Sequence, residues 1–113
     1  MRSKILALSK NEDFKILLTK KKISNKYVTI FFGNLINKNN RKLNISFVVK
    51  KKIGNAVKRN KIKRRLRNIM NDAVNKISIN FNYSYLVISK PSMLNNKFEN
   101  IKETLFQEFE RIR

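Results

Sequence analysis

Between Leu43 and Lys50 the chain alternates strictly. Leu43, Ile45, Phe47 and Val49 are apolar, and Asn44, Ser46 and Lys50 are polar, the period of two that a half-buried strand requires. Upstream, Tyr27 to Phe32 is rich in β-branched and aromatic residues and reads as another strand. The polar stretch Asn37 to Arg41 between them is turn-like, so the two strands are expected to form a hairpin. Beyond Gly54 the period changes. Asn55 is a good N-cap, no proline or glycine follows from Ala56 to about Ile77, and Ile62, Leu66, Ile69, Met70, Ala73 and Ile77 recur at helical spacing. Tyr83 to Ser89 predicts a further strand, which Pro91 prevents from continuing. A last helix from about Asn95 would carry Phe98, Ile101, Leu105, Phe109 and Ile112 on one side. Near the N-terminus, Ser9 followed by Glu12 fits a capping box for a short helix from about Asn11 to Leu18. Phe14, Leu17 and Leu18 would share one side of it, and Lys20-Lys21-Lys22 ends its apolar pattern. The order helix, hairpin, helix, strand, helix predicts an α+β fold, a small two-layer sandwich with helices packed on one face of a sheet.

The 113 residues make one domain's worth of chain, with 42% hydrophobic residues to build its core. Only two glycines and one proline occur and no repeat is visible, so a single domain over 1–113 is expected. Charge narrows the function. There are 27 Lys and Arg against 7 Asp and Glu, a net charge of +20. Such an excess on a small surface repels itself and implies a polyanionic partner. A basic surface kept for solubility is the weaker reading, because acidic residues serve solubility better. A membrane binder would confine its cations to one face or one cluster, whereas here they run from Arg2 to Arg113. No membrane partner is therefore expected. Some lysines also reflect the Lys, Asn and Ile drift of an AT-rich genome. Without cysteine, neither a disulfide framework nor a thiolate zinc site can form. No apolar run is long enough to span a bilayer, and the N-terminal apolar stretch is too short for a secretory signal, so a cytoplasmic location is expected.

The densest charge lies on the long helix. Lys58, Arg59, Lys61, Lys63, Arg64, Arg65 and Arg67 are seven cations within ten residues, with no acid until Asp72, and Lys51 and Lys52 precede them. At 100° per residue, Asn60, Arg64, Arg67 and Asn71 form one band. Lys61, Arg65 and Asn68 form another, and both lie opposite the Leu66 and Ile69 stripe. The helix can thus bury one face and present a ladder of guanidinium and amide groups on the other. Arginine grips phosphate as a bidentate fork, lysine adds point charge, and asparagine both donates and accepts. The helix N-terminus adds partial positive charge near Lys52 and Gly54. A purely solvated face is disfavoured, since unpaired like charges on one helix repel.

Autonomous catalysis finds little support. There is no His, Cys or Trp, and the acids are Glu12, Asp13, Asp72, Glu99, Glu103, Glu108 and Glu110, the last four on one predicted helix. A carboxylate metal site for phosphodiester cleavage needs acids converging from several elements. The C-terminal acids are expected to interleave with Lys97, Lys102 and Arg111 on a solvated face.

The run Lys51-Lys52-Ile53-Gly54-Asn55-Ala56-Val57-Lys58-Arg59-Asn60, continued by Arg64 and Arg67, resembles the signature of the bacterial ribonuclease P protein component. Asn11-Glu12-Asp13-Phe14 resembles the start of that family's first helix, and Val87-Ile88-Ser89-Lys90-Pro91 its last strand. The middle third is the diagnostic part. Two positions depart from the pattern: Lys61 stands where the family usually has arginine, and Lys50 where it commonly has serine. Leu18 is the counterpart of a second aromatic the family often carries in its first helix. The resemblance implies a left-handed β-α-β crossover around the basic helix, and a protein that assists a catalytic RNA in removing the 5′ leader of precursor tRNA. Lys51, Lys52, Asn55, Lys58, Arg59, Asn60, Lys61, Lys63, Arg64, Arg65 and Arg67 would then contact RNA. Phe14 and a strand aromatic, Phe31 or its neighbour Phe32, would touch unpaired leader nucleotides, by stacking that tolerates any sequence. On pattern alone Phe14 is equally a core residue, and partial exposure of its ring would distinguish the two. The implied partners are the ribonuclease P RNA and the precursor leader, with no obligate protein partner evident. No cofactor is expected on the protein, and magnesium would belong to the RNA holoenzyme. The competing class is a generic RNA-binding module, such as a ribosomal protein or RNA chaperone, from which the long signature separates it.

Overall fold

The computed structural model describes residues 4–8, 10–35 and 41–112. In chain order these form β1 (Ile5–Leu6), α1 (Asn11–Leu17), β2 (Lys21–Ser24), β3 (Val28–Gly33) and β4 (Leu43–Val48), then α2 (Ala56–Lys76), β5 (Ser84–Ser89) and α3 (Phe98–Arg111). Single 3-10 turns, Lys51–Ile53 and Pro91–Leu94, precede α2 and α3. The strands make one sheet in the order β1-β4-β5-β3-β2. β4 and β5 are adjacent and parallel, so α2 is the crossover of a β-α-β unit.

The expected hairpin between the strands around Tyr27–Phe32 and Leu43–Val49 does not form. β5 inserts between them, antiparallel to β3 and parallel to β4. The hairpin that does form joins β3 to β2, a strand built from the lysine run expected to end the first helix. Edge strands favour lysine because its charge deters further pairing. The Asn25 side chain closes this hairpin, its Oδ1 accepting from the backbone N–H groups of Tyr27 and Val28. Of the expected turn from Asn37 to Arg41, Arg41 is a turn residue and the rest lies outside the described residues.

Alternation along the strands sends Ile30, Ile45, Tyr85 and Val87 to one face, where α2 and α3 cover them. The apolar stripe expected on α2 is buried from Ile62 to Ala73, and Ile101, Leu105, Phe109 and Ile112 are buried with it. Tyr85 packs on Phe109 with ring centroids 5.3 Å apart and donates to the Asn80 carbonyl at 2.7 Å. Burial raises its phenol well above the ordinary 10. Leu86, Phe31, Val48 and Ile88 face the other way, and α1 covers them through Leu17 and Phe14. The helices therefore occupy both faces of the sheet rather than one, α1 alone on its side. For the same reason β4 is not half-buried: Asn44 and Ser46 are 2% and 8% exposed, and the Ser46 hydroxyl accepts from the Leu8 N–H at 2.8 Å.

α1 begins after Lys10, with no side-chain cap, and Ser9 lies outside the described residues. Leu17 is buried and Phe14 half-buried as expected, but Leu18 falls just past the helix and is exposed, while Asp13 is buried in its stead.

Candidate nucleic-acid interface

α2 starts where the capping argument puts it. The Asn55 Oδ1 accepts from the Lys58 N–H at 3.0 Å, satisfying one of the N–H groups the helix start leaves open. Gly54 has an extended backbone, and a Cβ there would lie 3.0 Å from the Lys58 Cδ, so the lysine stem rests over it. Lys51, Lys52 and Lys58 are exposed around this end, and so are Asn60, Lys61, Arg64 and Arg67 further along. Arg59, Lys63 and Arg65 are half-buried where the helix flanks meet the body of the protein. The Nε of Arg59 is buried without a hydrogen-bond partner among the described residues.

These side chains do not form one uniform surface; the fold divides them. On one flank, Lys63 and Arg67 border a cavity of about 250 Å³. Phe14 reaches it from α1, Ile5 and Ala7 border it from the N-terminal segment, and Ile45 to Val48 supply the edge of β4. The cavity opens where β1 stops pairing with β4, at Leu43 and Asn44, leaving the outer edge of β4 without a strand partner beyond them. Lys4 ties the N-terminal segment to α2, its Nζ donating to the Asn75 Oδ1 at 2.9 Å. An aromatic ring, an apolar wall and two cations at one opening can take a flat, negatively charged ligand.

Phe31 does not line this cavity. Because β5 separates β3 from β4, Phe31 lies two strands away from the β4 edge, in the apolar cluster beneath α1 with the Lys22 Nζ 6.0 Å from its ring. Phe32 faces the opposite side, against Tyr83 and Tyr85. The strand aromatic at the cavity is Phe47. The alternation of β4 marked Phe47 as inward-facing, but only the sheet order shows that its strand borders an opening.

On the other flank, Lys58, Lys61 and Arg65 border a groove of about 210 Å³ with Ile62, Met93, Leu94 and Asn95. The turn carrying Met93 to Asn95 had no distinguishing signal in the sequence beyond Pro91. A third and larger cavity, about 430 Å³, is lined by Ser78, Ile79, Asn80, Glu110 and Ile112. Among the described residues it offers a carboxylate and no cation, the wrong sign for a polyanion.

The single acid of α2, Asp72, is neutralised internally. Its Oδ2 pairs with Lys102 of α3 and, at 3.3 Å, with Lys76. The Lys102 hydrogen bond, aided by Lys76, holds its carboxyl below the ordinary 3.8 against a smaller opposing effect of burial. Lys102 is thus committed to α2 rather than to the glutamates of its own helix; there, Arg111 pairs with Glu108 at 3.9 Å. Among the described residues no cluster of acids or histidines is placed to hold a metal ion. Nor is any helix among them long and apolar enough to cross a membrane.

Fold and site together define a small basic α+β protein whose crossover helix offers cations to a polyanion on two flanks. The sequence matches the Ribonuclease P family profile over residues 3–113. It is 32% identical over 98 residues to the ribonuclease P protein component of Mesoplasma florum, covering 87% of this chain and 86% of that one. To the component of Carboxydothermus hydrogenoformans it is 34% identical over 102 residues, 87% and 83% of the two chains. The fold superposes on the ribonuclease P protein of Thermotoga maritima with a TM-score of 0.80 at 25% identity, covering 96% and 98% of the chains. The chain belongs to the ribonuclease P protein family.

Proposed function

We propose that this protein is the RNA-binding subunit of ribonuclease P. In this reading the cationic residues of α2 and the preceding turn, from Lys51 to Arg67, dock the catalytic RNA. The cavity at the β4 edge receives the unpaired 5′ leader of precursor tRNA. The RNA subunit, with its own magnesium, cuts the leader; the protein holds no catalytic group or metal and needs no protein partner. It works in the cytoplasm, where tRNA precursors are matured.

One observation carries the reading within a chain of this family: Phe14, half-buried, shares a single opening with Lys63 and Arg67. A core phenylalanine has no need of neighbouring cations, whereas a ring that stacks on an unpaired base gains from cations that meet the adjoining phosphates. Neutralising phosphate repulsion also explains the expected benefit to catalysis, because less magnesium is then needed to bring two RNAs together.

The test is cleavage of precursor tRNA by the ribonuclease P RNA of the same source at low magnesium, with and without the protein, and with protein alone. Cleavage at the mature 5′ end only when both components are present is the expected result. Cleavage by protein alone would overturn the non-catalytic role. RNA binding without any effect on cleavage would reduce the protein to a generic RNA-binding module.

A further inference from the structure

The N-terminal segment parts from β4 at a side chain. In a parallel pair, a residue of one strand bonds the residues on either side of its partner. β1 follows that pattern at first: Ile5 pairs with Leu43, Leu6 with Asn44, and the Leu43 N–H donates to the Lys4 carbonyl at 2.8 Å. The next step of the ladder would give the Leu8 N–H to the Ile45 carbonyl. That N–H goes instead to the Ser46 hydroxyl, at 2.8 Å, and the hydroxyl donates in turn to the Leu8 carbonyl, at 3.5 Å. A side chain has taken the donor that would have continued the sheet. The cavity of about 250 Å³ opens at this step, bordered by Ile5 and Ala7 of the segment and by Ile45, Ser46 and Phe47 of β4.

The alternation of β4 accounts for the placement. Ile45 faces the core beneath α2 and α3, so Ser46 faces the α1 side, where Leu8 is buried with Leu17 and Leu86. Ile5 packs against the α2 and α3 core, so the segment passes along the β4 edge from one face of the sheet to the other. Its far end is where it meets Ser46. At this depth the hydroxyl is not replaceable by solvent: Leu8 is 6% and Ser46 8% exposed, and a buried N–H needs a partner within the protein. The near end is tied by Lys4, whose Nζ donates to the Asn75 Oδ1 at 2.9 Å. Asn75 is set for this, because its amide N–H donates to the Asn71 carbonyl one turn back, at 3.2 Å, leaving Oδ1 to the lysine.

From this geometry we infer that Ser46 is a positioning residue for the leader: its hydroxyl holds the N-terminal segment off the outer edge of β4 and keeps open the cavity in which an unpaired base stacks. The inference rests on the reading of that cavity as the leader site and adds what sets its width. A base on the Phe14 ring has room only as far as Ile5 and Ala7 allow, and a bond at each end of the segment fixes their place. Without the hydroxyl, the acceptor in ladder register for the Leu8 N–H is the Ile45 carbonyl. Pairing there draws the segment onto β4 and narrows the opening.

The experiment measures the affinity of the assembled holoenzyme for precursor tRNA with a leader and for leaderless tRNA. Ser46→Ala, Asn75→Ala and Phe14→Ala are compared with the unaltered protein. Ser46→Ala is expected to lower affinity for the leader-bearing precursor about three- to tenfold, the span of one hydrogen bond's net contribution. Affinity for leaderless tRNA, and of the protein for the RNA subunit alone, should stay as they were, a split that a mere loss of stability does not produce. Asn75→Ala, at an exposed position of α2, frees the other end of the segment and should act in the same selective way. It decides the matter if Ser46→Ala does not fold. Equal falls for both substrates, or no fall for either, would overturn the assignment. Phe14→Ala separates this role from the reading beneath it. If Phe14→Ala lowers the leader preference and Ser46→Ala does not, the segment plays no part and the leader site stands. If neither does, the leader site falls and the positioning role falls with it.

Discussion

Phe14 joins two environments. One side of its ring packs in the apolar cluster beneath α1 with Leu17 and Leu86, and another borders the cavity with Lys63 and Arg67. Truncation will therefore cost some packing and some binding, and the two are separable. Phe14→Ala should lower the affinity of the holoenzyme for leader-bearing precursor by about 1–3 kcal/mol, the range for one stacked base. Affinity for mature or leaderless tRNA should not change, because a packing defect carries no information about the leader. Phe14→Leu keeps most of the apolar packing and removes the flat face, so it should retain stability and still lose leader preference. The measurement is the ratio of the two affinities for each variant. An equal fall for both substrates would assign Phe14 to the core alone.

The elements were legible in the sequence to the extent that their signals are local. α2 was readable almost to the residue, from the Asn55 cap to the end of its stripe, because capping and helical periodicity involve neighbours only. The inward sides of α3 and β5 were readable for the same reason. Strand partnership was not. β3 and β4 are close in sequence and look like a hairpin, yet β5, arriving after the whole of α2, takes the place between them. β2 was hidden because lysines that end a helical pattern are equally at home on an edge strand. The site followed suit: the cations of α2 were legible, but the cavity depends on how far β1 covers β4, and the groove on a turn more than twenty residues beyond Arg65.

The bond from α2 to α3 was also non-local, and it makes a prediction at this scale. Asp72 pairs with Lys102 across the two helices, and its carboxyl titrates below the ordinary value of 3.8. A carboxyl with a depressed folded value stabilises the native state above its unfolded value, about 3.9. That contribution fades as pH falls through the lower, folded value, where both states become protonated. Asp72→Asn should thus lower the melting temperature at neutral pH. The gap to the unaltered protein should narrow below about pH 4. Thermal unfolding of both proteins over an acid series checks this, and a gap that does not depend on pH would show that the ion pair adds nothing to the native state.

For the whole molecule the question is whether +20 acts as a diffuse field or through a particular ladder of side chains. A diffuse field attracts RNA from a distance, falls off over about 8–10 Å at ordinary ionic strength, and is indifferent to which cation is removed. A ladder seated on phosphates releases counterions locally, and each cation removed from it lowers the salt slope by about one. Lys61 and Arg64 are exposed on α2, and Lys21 and Lys22 are exposed on β2, the strand at the opposite edge of the sheet from β1 and β4. Changing either pair to alanine takes the net charge from +20 to +18, since each change removes one of the 27 cations. Both pairs should leave the fold intact, as none of the four side chains is buried. If the ladder governs, Lys61→Ala with Arg64→Ala lowers the slope of log affinity against log salt by about two, while Lys21→Ala with Lys22→Ala leaves the slope alone and lowers only the association rate at low salt. Equal effects from both pairs would mean that the protein binds its RNA as a charged sphere. The division of α2 into two flanks would then be a feature of the fold without consequence for recognition.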